Sequence, residues 1–213
     1  MKYKGAIFDM DGILFDTEKM YQDTWHELAE KYNVKLGEHF VYEISGTNGS
    51  HMDRVLEKNY HVKEGAAIRI ECMESMKRKL AAYVPVKTGV REILQYFHEN
   101  GYKTAVASSS AREQIQDNLR MTELDRYFDV IVSGSEVTHG KPAPDIFLHA
   151  AKKMGCEPDE CFVFEDSENG VRAGYAAGCA IIMIPDLIEP APEIKHCCAG
   201  IYKDLLQAME EID

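Results

Sequence analysis

The sequence predicts an α/β fold, a doubly wound parallel sheet that is interrupted after its first strand by an inserted helical subdomain. Two observations support this prediction. Short apolar segments alternate with segments of helical period, and residues 16–84 form a helical block without a convincing strand. Such alternation is typical of a parallel sheet with helices on both faces. A chain of 213 residues is long enough for one such domain with a smaller insertion.

Five short segments have the nearly continuous apolar character of strands that are buried on both faces. In chain order they are residues 5–9, 103–108, 129–133, 161–165 and 180–184. Stripes of helical period lie between them, comprising Val90, Ile93, Leu94 and Phe97 in one segment and Ile146, Phe147, Ala150, Ala151 and Met154 in another. Crossovers between parallel strands are overwhelmingly right-handed, which gives an open, doubly wound sheet.

The inserted block contains three apolar stripes at helical spacing, and core packing within the block explains them. The stripes are Tyr21, Trp25, Leu28 and Tyr32, then Met52, Val55 and Leu56, and finally Met73, Met76, Leu80 and Tyr83. We expect residues 1–15 and 85–213 to form the α/β core and residues 16–84 to form the helical subdomain. Two connections between the same two bodies are a natural hinge.

Composition limits the class of function. The formal net charge of −12 argues against a nucleic-acid-binding protein, which would normally carry a basic patch. No signal peptide is visible, and no segment approaches the apolar length of a membrane span. The six cysteines show no CxxC spacing, so neither a disulfide framework nor a metal cluster is expected. We therefore expect a reduced, cytoplasmic protein, and a monomer is the default expectation.

Two carboxylates separated by one residue follow the first predicted strand. Burying Asp9 and Asp11 together is costly, and a divalent cation such as Mg²⁺ would remove that cost. The alternative is a β-hairpin, in which Asp11-Gly12 is the turn and residues 13–15 form the return strand. These residues alone leave both interpretations open.

Further polar groups follow three later strands. They are Ser108, Ser109 and Ser110, then Lys141 at a helix entrance, and then Glu165 and Asp166. Each has an ordinary structural explanation, since the lysine could be solvated and the serines or carboxylates could cap helices. Ligands of open parallel sheets bind at the carboxyl ends of the strands. The joint occurrence of these groups at successive strand ends therefore favours a shared site.

The collected groups suit phosphoryl transfer. A metal would bridge Asp9 and Asp166, assisted by a backbone carbonyl after the first strand. Lys141 would pair with the phosphate, and Ser108 would hydrogen-bond a phosphoryl oxygen. Asp9 would attack phosphorus and form an acyl-phosphate, while Asp11 would protonate the leaving oxygen and later deprotonate the attacking water.

Four ordered motifs resemble those of the haloacid dehalogenase-like (HAD) hydrolase superfamily. They are Phe8-Asp9-Met10-Asp11-Gly12, Ala107-Ser108-Ser109, Gly140-Lys141-Pro142 with Pro144-Asp145, and Phe164-Glu165-Asp166-Ser167 followed by Gly170-Val171 and Ala176-Ala177-Gly178. The resemblance spans nearly the whole chain and implies a Rossmann-like core. The helical insertion resembles the cap of the branch that contains β-phosphoglucomutase and sugar-phosphate phosphatases.

This resemblance implies roles for the acidic residues. Asp9 would be the nucleophile and Asp11 the acid/base residue. Mg²⁺ would be held by Asp9, the carbonyl of Asp11 and Asp166, with Glu165 as a supporting carboxylate of the same metal site. The dehalogenases that named the superfamily lack an acid at the position of Asp11, so this residue indicates phosphate chemistry.

We expect five residues to bind the substrate. They are Asp16, Thr17, Ser108, Ser109 and Lys141. Asp16 and Thr17 would face the active site from the cap and shape specificity. The alternative is that one of them merely caps the first helix of the insertion.

Two departures from the similar phosphoglucomutases favour hydrolysis. Those mutases have a histidine four residues after the threonine that follows the first motif, whereas here Tyr21 follows Thr17. A phenol cannot replace an imidazole near neutral pH. The loop at residues 45–49 also lacks the arginine with which the mutases bind the second phosphate, although Arg54 lies nearby.

The expected function is Mg²⁺-dependent hydrolysis of a small phosphorylated metabolite, a sugar phosphate, through an aspartyl-phosphate. A phosphosugar mutase is the alternative enzyme. A third possibility is a protein that binds metal and phosphate without turnover.

Overall fold

The computed structural model describes residues 2–44, 47, 49–185 and 190–212. The chain divides into two compact units, Met1–Asp16 with Pro85–Asp213, and Thr17–Val84. The division expected from the sequence puts residue 16 in the helical subdomain, whereas Asp16 here belongs to the first unit. Within the loop expected to lack the mutase arginine, Ser45, Gly46 and Asn48 lie outside the described residues.

The first unit is built on a six-stranded sheet in which all neighbouring strands are parallel. The strands are β1 Gly5–Phe8, β2 Lys103–Ser108, β3 Val130–Ser133, β4 Cys161–Glu165, β5 Ala180–Met183 and β6 Gly200–Ile201. Their spatial order is β3-β2-β1-β4-β5-β6. The chain thus winds outward in one direction from β1 to β3 and in the other from β4 to β6. This topology confirms the predicted α/β fold with a doubly wound sheet.

The α-helices among the described residues follow in chain order. They are α1 Thr17–Lys31, α2 Phe40–Ile44, α3 Gly49–Tyr60, α4 Gly65–Ala82, α5 Val90–Glu99, α6 Arg112–Met121, α7 Asp145–Met154, α8 Glu168–Ala177, α9 Pro192–Lys195 and α10 Leu205–Glu211. Helices α1 to α4 make up the second unit, and the others belong to the first. None of the helices in the described part of the chain is long and apolar enough to cross a membrane.

Aromatic packing aligns the two central strands. The rings of Phe8 in β1 and Phe164 in β4 stack with their centroids 4.5 Å apart. Phe97 of α5 packs edge-on against both rings. It is fully buried, as are the other members of its predicted stripe, so that prediction is confirmed. The polar residues that follow Phe8 and Phe164 therefore begin at the same level of the sheet.

The apolar stripe of α4 differs from the prediction. The buried residues repeat every four positions and are Ile68, Cys72, Met76 and Leu80. Met73 is exposed because this repeat, rather than the predicted face, packs against α1 and α3. Tyr83 is also exposed, since it follows the end of α4 in an extended conformation.

A close approach within the second unit requires glycine at position 65. A Cβ atom there would lie 1.9 Å from the backbone oxygen of Asp53 in α3. Because the obstructing atom is backbone, a side-chain rotation cannot relieve the overlap. We predict that Gly65→Ala lowers the free energy of unfolding by at least about 2 kcal/mol, as expected for an overpacked interior. Chemical denaturation of the full chain measures this change.

Gly37→Ala is the matched control in the same unit. A Cβ atom at Gly37 would meet no atom within 4 Å. Its free energy of unfolding should stay within about 0.5 kcal/mol of the wild-type value. Equal stability of the two variants would contradict the close packing of α3 against α4.

Candidate active site

The carboxyl ends of β1, β2 and β4 bring the predicted site residues together. Phe8 is in register with Val106 of β2 and with Phe164 of β4. The Asp9 amide continues this pairing by donating a hydrogen bond to the Phe164 carbonyl at 3.0 Å. Asp9 therefore leaves the sheet between the end of β2 and Glu165 of β4.

The arrangement excludes the hairpin interpretation. Strand β1 has parallel partners on both sides, β2 and β4, so no site remains for an antiparallel return strand. Residues 13–15 are buried and form a tight turn, in which the amides of Leu14 and Phe15 donate to the Met10 carbonyl. Asp9 and Asp11 thus mark the end of a central strand.

Lys141 joins two carboxylates at this edge. Its Nζ lies 2.5 Å from Asp9 Oδ1 and 2.5 Å from Glu165 Oε1. It also donates to the Ala107 carbonyl at the end of β2, at 3.5 Å. The Lys141 side chain is only 9% exposed, which excludes the alternative that it is a solvated surface lysine. One ammonium group therefore connects β1, β2 and β4.

Burial and charge act in opposite directions on this lysine. Burial alone would lower the pKa of Lys141, but the negative charges of Asp9 and Glu165 outweigh it and raise the pKa. Burial raises the pKa of Asp9 to about 7; the charge of Lys141 opposes that rise, and the charges of Glu165 and Asp11 add to it. Lys141 is therefore held firmly in its charged form.

Glu165 is fully buried, and donors occupy both of its oxygens. While Oε1 accepts from Lys141, Oε2 accepts from the amides of Asp166 and Ser167 at 3.0 and 3.1 Å and from the Ser167 hydroxyl at 3.0 Å. Gly170 makes room for this carboxylate, since a Cβ atom there would lie 1.9 Å from it. Glu165 consequently fixes both Lys141 and the loop that carries Asp166.

Asp166 lies against the loop of the first motif. Gly12 has a φ of 87°, and a Cβ atom on it would lie 2.2 Å from Asp166 Oδ2. Glycine is needed at this position for both reasons. The carboxylate of Asp166 is therefore next to the residue that follows Asp11.

The serines after β2 have distinct environments. Ser108 is buried, and its Oγ accepts a hydrogen bond from the Ser110 amide at 3.1 Å. This bond does not cap α6, because the N-cap of that helix is Ala111. Ser109 is exposed. Ser110, to which the sequence analysis gives no individual role, donates from Oγ to Asp11 Oδ2 at 2.9 Å. Only its place in the serine run could have suggested this contact.

Asp16 and Thr17 belong to different units. Asp16 ends the first unit and borders a cavity of about 440 Å³ that is also lined by Lys87 and Lys203. Thr17 begins α1 and is buried. Their roles in substrate binding remain predictions.

The donor set at the sheet edge fits a hard divalent cation. Asp9 and Asp166 offer carboxylates, and Asp11 offers a carbonyl in the turn between them. Mg²⁺ in enzymes is commonly held by one or two carboxylates, with substrate phosphate and water completing its shell. No cluster of three or more His, Cys, Asp or Glu side chains arranged for a metal occurs among the residues described. A two-carboxylate set of this kind needs none.

Removing the Lys141 ammonium should destabilise the protein. We predict that Lys141→Met lowers the free energy of unfolding by about 3–5 kcal/mol, because Asp9 and Glu165 would stay buried without their cation. The matched control is Lys103→Met, whose partner Asp129 and own side chain are both exposed. Its effect should be below about 1 kcal/mol. Equal losses in chemical denaturation would contradict the structural role of Lys141.

Comparison with known proteins agrees with this architecture. The family model described as haloacid dehalogenase-like hydrolase matches residues 6–184. A phosphorylated carbohydrates phosphatase of Thermotoga maritima is 33% identical over 82% of each chain. The fructose-1-phosphate phosphatase YqaB of Escherichia coli is 33% identical over 83% of this chain and 94% of its own.

Solved structures also resemble this chain. A Thermotoga maritima protein assigned as a β-phosphoglucomutase has a TM-score of 0.82 and 29% identity, covering 99% of this chain and 100% of its own. The match of the family model covers most of the chain, and it includes all four motifs that form the site. The chain therefore belongs to the haloacid dehalogenase-like hydrolase family.

Proposed function

We propose that this protein hydrolyses small phosphomonoesters, specifically sugar phosphates, through an aspartyl-phosphate with Mg²⁺ as cofactor. The observation that carries the proposal is the contact of 2.5 Å between Lys141 Nζ and Asp9 Oδ1 at the end of the central strand. This contact supports the proposal, because a phosphoryl group attacked by Asp9 would lie beside the fixed positive charge of Lys141.

Asp9 is the proposed nucleophile. Its carboxylate forms a bond to phosphorus while the ester oxygen leaves with a proton supplied by Asp11. A water molecule then attacks the acyl-phosphate, Asp11 takes its proton, and inorganic phosphate departs from the regenerated Asp9. Dividing one displacement into two easier ones is the usual advantage of covalent catalysis. Proton transfer of this kind typically contributes about 10²–10⁴-fold.

The phosphoryl group is proposed to bind between Lys141 and Ser108. The ammonium of Lys141 offers charge-assisted hydrogen bonds to the phosphoryl oxygens. The Ser108 Oγ accepts from the Ser110 amide, so its own proton can be donated to a phosphoryl oxygen. Ser109, exposed beside it, is kept as a further predicted contact.

Asp9, Asp166 and the carbonyl of Asp11 are the proposed Mg²⁺ ligands. The ion would neutralise charge on the phosphate and on the carboxylates around it. We place Glu165 outside this set, because hydrogen bonds from Lys141 and from the Asp166–Ser167 loop already engage both of its oxygens. Its proposed role is to orient Lys141 and that loop.

The choice of sugar phosphates is supported by the relatives. The two curated relatives described above are named as phosphatases of phosphorylated carbohydrates and of fructose 1-phosphate, and another is named hexitol phosphatase B. The similarity to the protein assigned as a β-phosphoglucomutase keeps the mutase as the second candidate. Tyr21, at the position of the mutase histidine, favours hydrolysis. Action on such metabolites in the cytoplasm, as a monomer, remains a prediction.

We predict that Asp9→Asn reduces turnover of a hexose phosphate by at least about a thousand-fold, since the nucleophile is removed. Chelation of Mg²⁺ should abolish wild-type activity, and added Mg²⁺ should restore it. The assay follows free phosphate colorimetrically and isomerised sugar by ³¹P NMR in the same reactions. Free phosphate should be the product.

Asp117→Asn is the control, since Asp117 is exposed on α6 and has no proposed role in the site. It should retain wild-type activity. Full activity in Asp9→Asn would contradict the assigned nucleophile. Isomerised sugar without release of phosphate would instead establish the mutase. Binding of phosphate esters without turnover of any of them would favour the third possibility.

A further inference from the structure

Ser110 contacts the aspartate to which the proposed function gives proton transfer. Its hydroxyl donates a hydrogen bond to Asp11 Oδ2 at 2.9 Å. The two residues are 99 positions apart in the chain. Ser110 is half-buried at the end of β2, one residue beyond the second sequence motif. This contact links the loop after β2 to the loop after β1.

The backbone of Ser110 is fixed on both sides. Its amide donates to Ser108 Oγ at 3.1 Å, and its carbonyl accepts from the Ser133 hydroxyl at 2.7 Å. Ser133 is fully buried at the end of β3, in register with Ser108. The Ser110 side chain therefore starts from a well-determined position.

Ser133 is itself held by an ion-pair network. Its amide donates to Glu136 Oε1 at 2.9 Å. Arg112 and Lys153 each contact the Glu136 carboxylate at 2.6 Å. The support for Ser110 thus extends from the buried sheet edge to the surface of the first unit.

A hydrogen bond to one carboxyl oxygen restricts rotation of the whole group. Asp11 must donate a proton to the leaving oxygen in the first step and accept one from water in the second. Oδ2 can accept from Ser110 in both states, provided that Oδ1 carries the exchanged proton. The same oxygen would then face the reacting atoms throughout the cycle, which is the preorganisation that proton transfer requires.

We propose that Ser110 is a positioning residue, which orients Asp11 so that Oδ1 performs the proton transfers, with Ser133 holding Ser110 in place. This inference rests on the proposed function, because it deepens the role of Asp11 in that reaction. Ser110 acts through Asp11 rather than on the substrate.

The test uses two phosphate esters that differ in their need for an acid. A hexose phosphate has a poor leaving group and requires protonation, whereas p-nitrophenyl phosphate releases a stable phenolate and does not. Rapid-quench measurements give the rate constant for release of sugar or phenol in the first turnover, and its concentration dependence gives the affinity. The variants are Ser110→Ala, which removes the hydroxyl, and Ser110→Thr, which retains it.

In Ser110→Ala, the ratio of the hexose-phosphate rate constant to the aryl-phosphate rate constant should fall by about tenfold or more, while affinity for both esters stays within about twofold. Ser110→Thr should keep the wild-type ratio whatever its absolute rates. Ser75→Ala is the control, since Ser75 lies in α4 of the second unit and has no proposed role in the site. Its ratio should also be unchanged.

An unchanged ratio in Ser110→Ala would overturn the positioning role, and so would an equal loss on both esters, which indicates general structural damage. A lowered ratio in Ser110→Thr matching that of Ser110→Ala would also overturn it. Failure of the wild-type protein to turn over either ester would contradict the proposed function itself. The two failures are therefore distinguishable.

Discussion

The buried ammonium of Lys141, shared by Asp9 and Glu165, is the interaction on which the arrangement of the site depends. Desolvating three charged groups costs several kcal/mol, so the group persists only because each charge has close, well-directed partners. Those partners come from the end of β1, the end of β4 and the loop before α7. Asp11 and Asp166 also lie at this edge of the sheet. Together with Asp9 and Glu165, they give the edge more carboxylates than the single charge of Lys141 can balance. A divalent cation would neutralise that excess negative charge, together with the charge of a bound phosphoryl group.

The packing beneath the site also helps to hold Asp9 and Glu165 in position beside Lys141. Stacked rings of Phe8 and Phe164 hold the two central strands at one level, so the polar residues that follow them emerge side by side. Two close approaches then allow no side chain: Gly170 faces the Glu165 carboxylate, and Gly12 faces Asp166. The backbone donors of the loop after β4 complete the shell of Glu165. These contacts fix the orientation of the carboxylates, which the sheet topology alone would leave free to rotate.

Much of this could be predicted from sequence, for identifiable reasons. Strands buried on both faces form continuous apolar runs, so the five longer strands were recognisable, whereas the two residues of β6 form no such run. The α4 stripe was misplaced because several apolar residues allow two faces, and packing against α1 and α3 selects between them. The burial of Lys141 is invisible locally, since its partners lie 132 and 24 residues away. The contact of Ser110 with Asp11 escaped prediction for the same reason, since the two residues are 99 positions apart.

Chemical trapping of the covalent intermediate tests the role of Asp9 most directly. Enzyme turning over a hexose phosphate is quenched in acid within milliseconds, reduced with borohydride and mapped by peptide mass spectrometry, because reduction converts an aspartyl-phosphate to homoserine. We expect homoserine at position 9, in substrate-dependent amounts that follow the burst of released sugar. A stoichiometric burst of released sugar with Asp9 unmodified, or with homoserine at position 11 instead, would contradict the assignment of Asp9 as the nucleophile.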